Sequence, residues 1–302
     1  MFLHEDKELF SEVIEASSIS MKLPVAIIEK DYYVTVFLKT LVKLQPDIVF
    51  KGGTSLSKCY KLIDRFSEDI DLNIEGELKP SESKRKKLKE NIIKVINSLG
   101  FVLANESDIF SRRDFNKYEI NYPLSYGSDY LKHNLIVETA VFFRAYPSKT
   151  MIADSFIYNY LFKQKLFDII NEFDLSPFEI KVQTAERTFI DKLFALGDYY
   201  LDNKTAGHSR HIYDLYKLLE IVSVNDDLKS LAETVRKERQ NHRTCLSAGE
   251  NVDMRDVLRE IIDTGFYEND YTQITKSLLF TPVEYKDAIR VLEIVLDKNL
   301  FD

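Results

Sequence analysis

The chain has no tryptophan, two cysteines, seven prolines and nine glycines in 302 residues. Cys59 and Cys245 lie far apart and in no metal-ligand spacing, which excludes a disulfide scaffold and a cysteine-based zinc site and reads as reduced thiols. His208 and His211 are three apart, but no Cys or further His accompanies them, which argues against zinc. No run approaches the roughly 20 uninterrupted apolar residues of a membrane span. The opening "MFLHEDKELFSEVIEAS" is acidic and amphipathic, without the apolar core of a signal peptide, so the expected location is cytoplasmic. An excess of positive charge is also missing, since the formal net charge is −8. A polyanion would therefore have to meet a local basic surface. "KRKKLK" at 84–89, Arg112 with Arg113, and "RKERQNHR" at 236–243 supply such clusters, though each reads more readily as a solvated helix face or loop. What is present, 45% hydrophobic and 30% charged residues, is the composition of a globular chain able to bury a sizeable core.

Repeats, low-complexity tracts and Pro/Gly-rich linkers are absent too, so organisation shows only as a change of periodicity. Residues 5–17 and 24–44 carry apolar positions at helical spacing, the second run beginning at Pro24. "DIVF" (47–50) reads as a strand, and "TSLSKCYKLI" places Leu56, Tyr60 and Ile63 at helical intervals, predicting a helix of about eleven residues. "EDIDLNI" alternates, with Ile70, Leu72 and Ile74 on one face and Asp69, Asp71 and Asn73 on the other, the period of a strand. "SESKRKKLKENIIKVINSLG" reads as a helix closed by Gly100, with further strands at 100–104, 117–123 and 134–144. From about residue 150 onward the period is near 3.6. The expectation is an α+β first part, 1–150, and a helical second part, 151–302.

Two features carry chemistry. Gly52 and Gly53 stand where a strand gives way to a helix, a place where missing side chains let backbone amides approach a phosphate, with Thr54, Ser55 and Ser57 as hydroxyl donors. A tight turn capped by Thr54 is the plainer alternative. Asp69 and Asp71 point to one face of their strand. At about 5 Å and an effective dielectric of ~20, their carboxylates would repel by roughly 3 kcal/mol. A divalent cation offsets this, and Mg²⁺ is held by one or two carboxylates together with substrate phosphates. A solvated acidic edge paired with Arg65 is the alternative. Glu138, the acid within the apolar run "NLIVETAVFFR", needs either a cation or a core salt bridge.

Together, a glycine turn, a short helix and an Asp-x-Asp strand resemble the nucleotidyltransferase fold of DNA polymerase β and its relatives. "KGGTSLSK" followed by "RFSEDIDL", with "EKDYYVT" at 29–35, "DKLFAL" and "RHIYDLY", is similar to the AbiEii/AbiGii nucleotidyltransferase toxins. The resemblance implies a mixed-sheet nucleotidyltransferase core with N-terminal helices over 1–150 and a helical part over 151–302 that completes the active site. Asp69, Asp71 and Glu138 would hold the metal, Mg²⁺ or Mn²⁺. Gly52, Gly53, Thr54, Ser55, Lys58 and Arg210 would face the nucleotide. Lys192, which otherwise reads as a surface lysine, would neutralise triphosphate charge. Asp214, four residues from Arg210 and otherwise an ordinary ion-pair partner, would act as a base or orient Lys192. Asp191 stands where the family often has Glu.

The implied activity is transfer of a nucleoside monophosphate from an NTP to an acceptor hydroxyl, with release of pyrophosphate. The acceptor would be the 3′ end of tRNA or another RNA, and a separately encoded antitoxin would be the partner in a toxin–antitoxin or phage-defence pair. A protein side chain, a small molecule such as an aminoglycoside, or no reaction at all in a nucleotide- or RNA-binding module are the competing readings.

Overall fold

The computed structural model describes residues 1–76, 78–128, 131–240 and 242–301. Asn241 of the "RKERQNHR" run lies outside the described residues. The chain divides into two compact units, the first comprising Met1–Tyr60 and Ser67–Val182, the second Lys61–Phe66 and Gln183–Asp302.

The first unit opens with α1 (Lys7–Met21), whose N-terminus is capped by the Asp6 carboxylate accepting from Leu9 N–H. Pro24 then starts α2 (Val25–Leu44). Next come β1 (Ile48–Lys51), α3 (Gly52–Lys58), β2 (Ile70–Ile74) and α4 (Glu82–Ser98), followed by β3 (Val102–Leu103), β4 (Phe115–Asn121) and β5 (Leu135–Ala140). β6 (Ser148–Ala153), α5 (Phe156–Lys163), α6 (Phe167–Glu172) and β7 (Phe178–Gln183) complete it. The seven-stranded sheet runs β3-β4-β5-β2-β1-β7-β6. It is mixed, because β1 is antiparallel to β2 but parallel to β7, while β2 is parallel to β5. The alternation read in "EDIDLNI" holds, since Ile70, Leu72 and Ile74 are buried in one core with Phe37 and Leu41 of α2 and Ile92 and Val95 of α4.

Two boundaries differ from the periodicity. The helix expected to reach Ile63 ends at Lys58, and Lys61 adopts a left-handed φ of 54° that no helix continues through. The sheet also extends past residue 150: β6 and β7 follow it, their short alternation hidden beside the helical spacing of α5 and α6.

α2 buries three consecutive charges, and each holds a different part of the first unit. The Glu29 carboxylate accepts from Ser125 N–H and Tyr126 N–H at 2.7 and 2.8 Å. Lys30 donates to the carbonyls of Lys132 and Asn134, both at 2.6 Å. Asp31 accepts from Lys58 Nζ at 2.5 Å and from Phe156 N–H at 2.8 Å. Buried charges are tolerated only when paired and hydrogen-bonded, so the "EKD" triplet acts as a set of internal anchors.

The second unit is helical: α7 (Ala185–Leu201), α8 (Arg210–Leu218), α9 (Asp226–Arg239), α10 (Met254–Thr264), α11 (Glu268–Gln273), α12 (Tyr285–Ala288) and α13 (Arg290–Asp297). The segment Lys61–Phe66 is stitched into this unit, with Phe280 N–H donating to Asp64 O at 2.9 Å and a β-bridge joining Arg65 to Leu279. Among the described residues, no helix is long and apolar enough to cross a membrane.

Asp31→Ala would leave the Lys58 ammonium buried without its carboxylate, and is expected to lower the unfolding free energy by about 3–5 kcal/mol. A urea titration reads this as a fall in midpoint; a loss below about 1 kcal/mol would show that the pair does not anchor the unit.

Candidate active site

β1 ends at Lys51, whose Cα partner across the antiparallel pair is Asp71. Gly52 then turns the chain with φ of +74°, the left-handed region that other L-residues enter only at a cost. A Cβ built at Gly52 would lie 1.9 Å from Asp71 Oδ2 and 2.8 Å from its Cγ. The space that the glycine leaves is therefore filled by the Asp71 carboxylate, not kept open as the phosphate pocket expected of it.

The hydroxyls of the turn likewise serve the protein's own backbone. Thr54 is buried, with Oγ1 at 2.5 Å from Asp69 O and 2.9 Å from Ser67 Oγ. Ser55 donates to Gly52 O at 2.8 Å, and Ser57 to Thr54 O at 3.0 Å. Gly53 follows Gly52 in the first turn of α3, whose N-cap, Lys51, supplies no side-chain cap. Lys58 departs from the role the motif implies. It is buried, with its ammonium on Asp31, on Thr35 Oγ1 at 2.6 Å and on Asp154 O at 3.2 Å, so its three donors are taken by the core.

Around the turn, carboxylates crowd. Asp71 is the Cα partner of Glu138 across the parallel β2–β5 pair. Burial pushes the half-buried Glu138 carboxyl up, and the nearby Asp71 and Asp69 charges push it further, while Lys132 and Lys117 draw it down. The Lys132 ammonium reaches Asp69 Oδ1 at 2.7 Å. Glu68 lies behind, 3.4 Å from the Lys30 ammonium and accepting from Lys132 N–H at 3.1 Å. Among the described residues no three His, Cys, Asp or Glu side chains form a ready-made metal group. Asp69 and Asp71 nonetheless suit Mg²⁺, which takes one or two carboxylates and completes its octahedron with water and substrate phosphate. The mutual repulsion felt at Glu138 is the charge excess that a cation would neutralise.

In the helical unit, the Asp214 carboxylate is fully buried between two cations. Arg65 grips it with Nε to Oδ1 at 2.8 Å and Nη2 to Oδ2 at 2.7 Å, and Lys192 Nζ donates to Oδ2 at 2.6 Å. Burial alone would push the carboxyl up, but the Arg65 and Lys192 charges outweigh it and hold Asp214 well below the usual carboxylate range. Its contact with Lys192 Nζ matches one of the two roles expected of it, the orienting of that lysine. Burial lowers the Lys192 pKa and Asp214 opposes that shift. Lys192 is thus no surface lysine, and Phe189, Ile190, Leu193, Phe194 and Leu196 around it are all in the core.

Arg210 opens α8, half-buried, and its charge is felt at Lys192 and at His208. No ion pair joins it to Asp214 among the described residues, because Arg65 and Lys192 occupy that carboxylate. Asp191 accepts from Arg187 Nε at 3.2 Å, from Arg239 Nη1 at 3.3 Å and from Gln183 Nε2 at 3.1 Å, which keeps it in the helical framework.

Sequence reasoning missed Lys132, Lys30 and the true partner of Arg65. Lys30 had a signal, as one of three charges inside the apolar run of α2. Lys132 and the Arg65–Asp214 pair had none, since both depend on segments remote in sequence.

The family model described as "Nucleotidyl transferase AbiEii toxin, Type IV TA system" matches residues 36–291. Among solved structures, the fold is similar to that of MenT4, nucleotidyltransferase toxin Rv2826c from Mycobacterium tuberculosis H37Rv. The TM-score is 0.58 at 17% identity, covering 92% of this chain and 86% of that one. No curated protein matches the chain.

Gly52→Ala is expected to destabilise the first unit by about 2–4 kcal/mol, combining left-handed strain with the clash against Asp71. Gly100→Ala, with φ of +70° but nothing within 4 Å of the new Cβ, isolates the strain alone. Equal urea midpoints for the two variants would refute the seating of Asp71 at Gly52. For Asp214, a folded pKa below the unfolded value means that its stabilisation is complete above the ordinary carboxylate pKa and is lost as pH falls through the folded value. Between about pH 5 and pH 3, the wild-type urea midpoint should therefore fall more steeply than that of Asp214→Asn; parallel profiles would contradict the triad.

Proposed function

Because the chain belongs to the AbiEii nucleotidyltransferase toxin family of type IV toxin–antitoxin systems, we propose a Mg²⁺-dependent transfer of a nucleoside monophosphate from an NTP to a tRNA. The acceptor is the 3′-terminal hydroxyl, the leaving group is pyrophosphate, and the reaction takes place in the cytoplasm. A separately encoded antitoxin is the partner. The observation that carries this reading is the Asp71 carboxylate seated in the gap at Gly52 and in register with Glu138, beside Asp69.

Asp69 and Asp71 would hold the divalent ion, with Glu138 as the third carboxylate. When bound, the ion neutralises phosphate charge and lowers the pKa of the attacking hydroxyl. The hydroxyl oxygen forms a bond to the α-phosphorus as the bond from that phosphorus to the bridging oxygen breaks, and the electron pair leaves with pyrophosphate. The hydroxyl proton, made more acidic by the ion, is released to solvent. Lys192, fixed by Asp214, offers a positive charge for the growing negative charge of the leaving pyrophosphate. Arg210 adds a second cation for the nucleotide phosphates. Gly53 contributes only backbone, which lets phosphate approach the start of α3.

The test is incubation with Mg²⁺, each of four α-³²P-labelled NTPs and total tRNA, resolved on a denaturing gel. Label on RNA is expected for the wild type, and background for Asp69→Asn and Asp71→Asn. Unchanged labelling in both variants would overturn the metal assignment, and label removed by protease but not by RNase would move the acceptor to a protein.

A further inference from the structure

Lys132 has a fixed root and an exposed tip. Its N–H donates to Glu68 Oε2 at 3.1 Å and its carbonyl accepts from Lys30 Nζ at 2.6 Å; Lys30 also binds Asn134 O and pairs with Glu68. Lys30 is 1% exposed and Glu68 16%. Burying such a pair costs several kcal/mol of desolvation before the mutual attraction and hydrogen bonds offset it. Those hydrogen bonds fix the backbone at 132 and 134, next to β5 and its Glu138. The Lys132 side chain is 47% exposed and rests on Asp69, which is 22% exposed. An ion pair so exposed contributes too little to account for the anchoring beneath it. A pinned Cα with a flexible stem and a hydrated ammonium is the geometry of a lysine that changes partners.

We propose that Lys132 is a triphosphate-binding residue, stored on Asp69 in the free protein and released to the substrate phosphates when a divalent cation takes that carboxylate. The inference rests on the metal and nucleotide reading given above. Lys132 and the cation compete for Asp69 while the nucleotide is absent; once it is present, Lys132 faces a polyanion that attracts it more strongly than a single carboxylate does. The lysine thereby keeps the three-carboxylate cluster partly neutralised before substrate arrives and strengthens substrate binding afterwards. Lys117, the Cα partner of Glu138 on β4, provides the contrast. It lies in the same field, but its ammonium pairs with Glu119 at 2.9 Å.

The test measures binding without turnover. Mn²⁺ is titrated into the full-length protein and followed by the electron paramagnetic resonance of free Mn²⁺, first alone and then with a non-hydrolysable α,β-linked NTP analogue. Lys132→Gln should bind Mn²⁺ alone about two- to fivefold more tightly than wild type and the Mn²⁺–analogue complex about tenfold more weakly. Lys132→Arg, which keeps the charge, should stay near wild type in both. Lys117→Gln, whose charge is already paired with Glu119, should shift both affinities by less than about twofold. Unchanged affinities in Lys132→Gln, or a pattern matching Lys117→Gln, would overturn the proposal. If Asp69→Asn binds Mn²⁺ as well as wild type does, the metal reading itself falls and this inference with it.

Discussion

Negative charge confined to one end of two neighbouring strands is the constraint around which the first unit is arranged. Asp69, Asp71 and Glu138 sit close enough for their charges to oppose one another. The protein relieves the crowding by local means. Gly52 withdraws its side chain so that Asp71 has room. Lys132 lays an ammonium on Asp69, and Lys117 contributes a weaker field from β4. The remaining excess is what a divalent ion and a triphosphate are suited to complete together, because the ion needs anionic ligands and the substrate needs its own charge neutralised.

Holding such a cluster requires a rigid base, and α2 provides it in an unusual way. A helix within a core is ordinarily apolar on all sides, yet this one carries Glu29, Lys30 and Asp31 in succession. Successive residues of a helix point in different directions, about 100° apart, so three adjacent charges anchor three separate segments: 125–126, 132–134, and Lys58 with the start of α5. The lysine that ends the glycine motif is drawn into this framework.

The helical unit solves a related problem with one carboxylate. Asp214 is buried and satisfied by Arg65 and Lys192 together, an arrangement that fixes the lysine's direction. Arg65 belongs to the six-residue segment Lys61–Phe66, which lies in sequence between the glycine turn and the aspartates yet packs with the helices. The stretch that carries the glycine turn and the Asp-x-Asp pair is thus interrupted in sequence by a segment that belongs to the other unit.

Local pattern determined much of this protein. Period-2 alternation marked β2 and its two faces, helical spacing marked α1, α2, α4 and the second unit, and the glycine turn with its Asp-x-Asp pair marked the stretch where the carboxylates crowd. These features depend on residues a few positions apart, whose geometry is set by the backbone alone. The tertiary structure decided which partner each charge found. It gave Asp71 the space at Gly52, sent Lys58 to Asp31, set Asp214 between Arg65 and Lys192, and placed Lys132 on Asp69. The end of α3 and the late strands β6 and β7 were likewise settled by long-range packing. Spacing states which side chains share a face, but an ion pair forms wherever folding brings opposite charges into a low-dielectric setting, and that depends on the whole path of the chain.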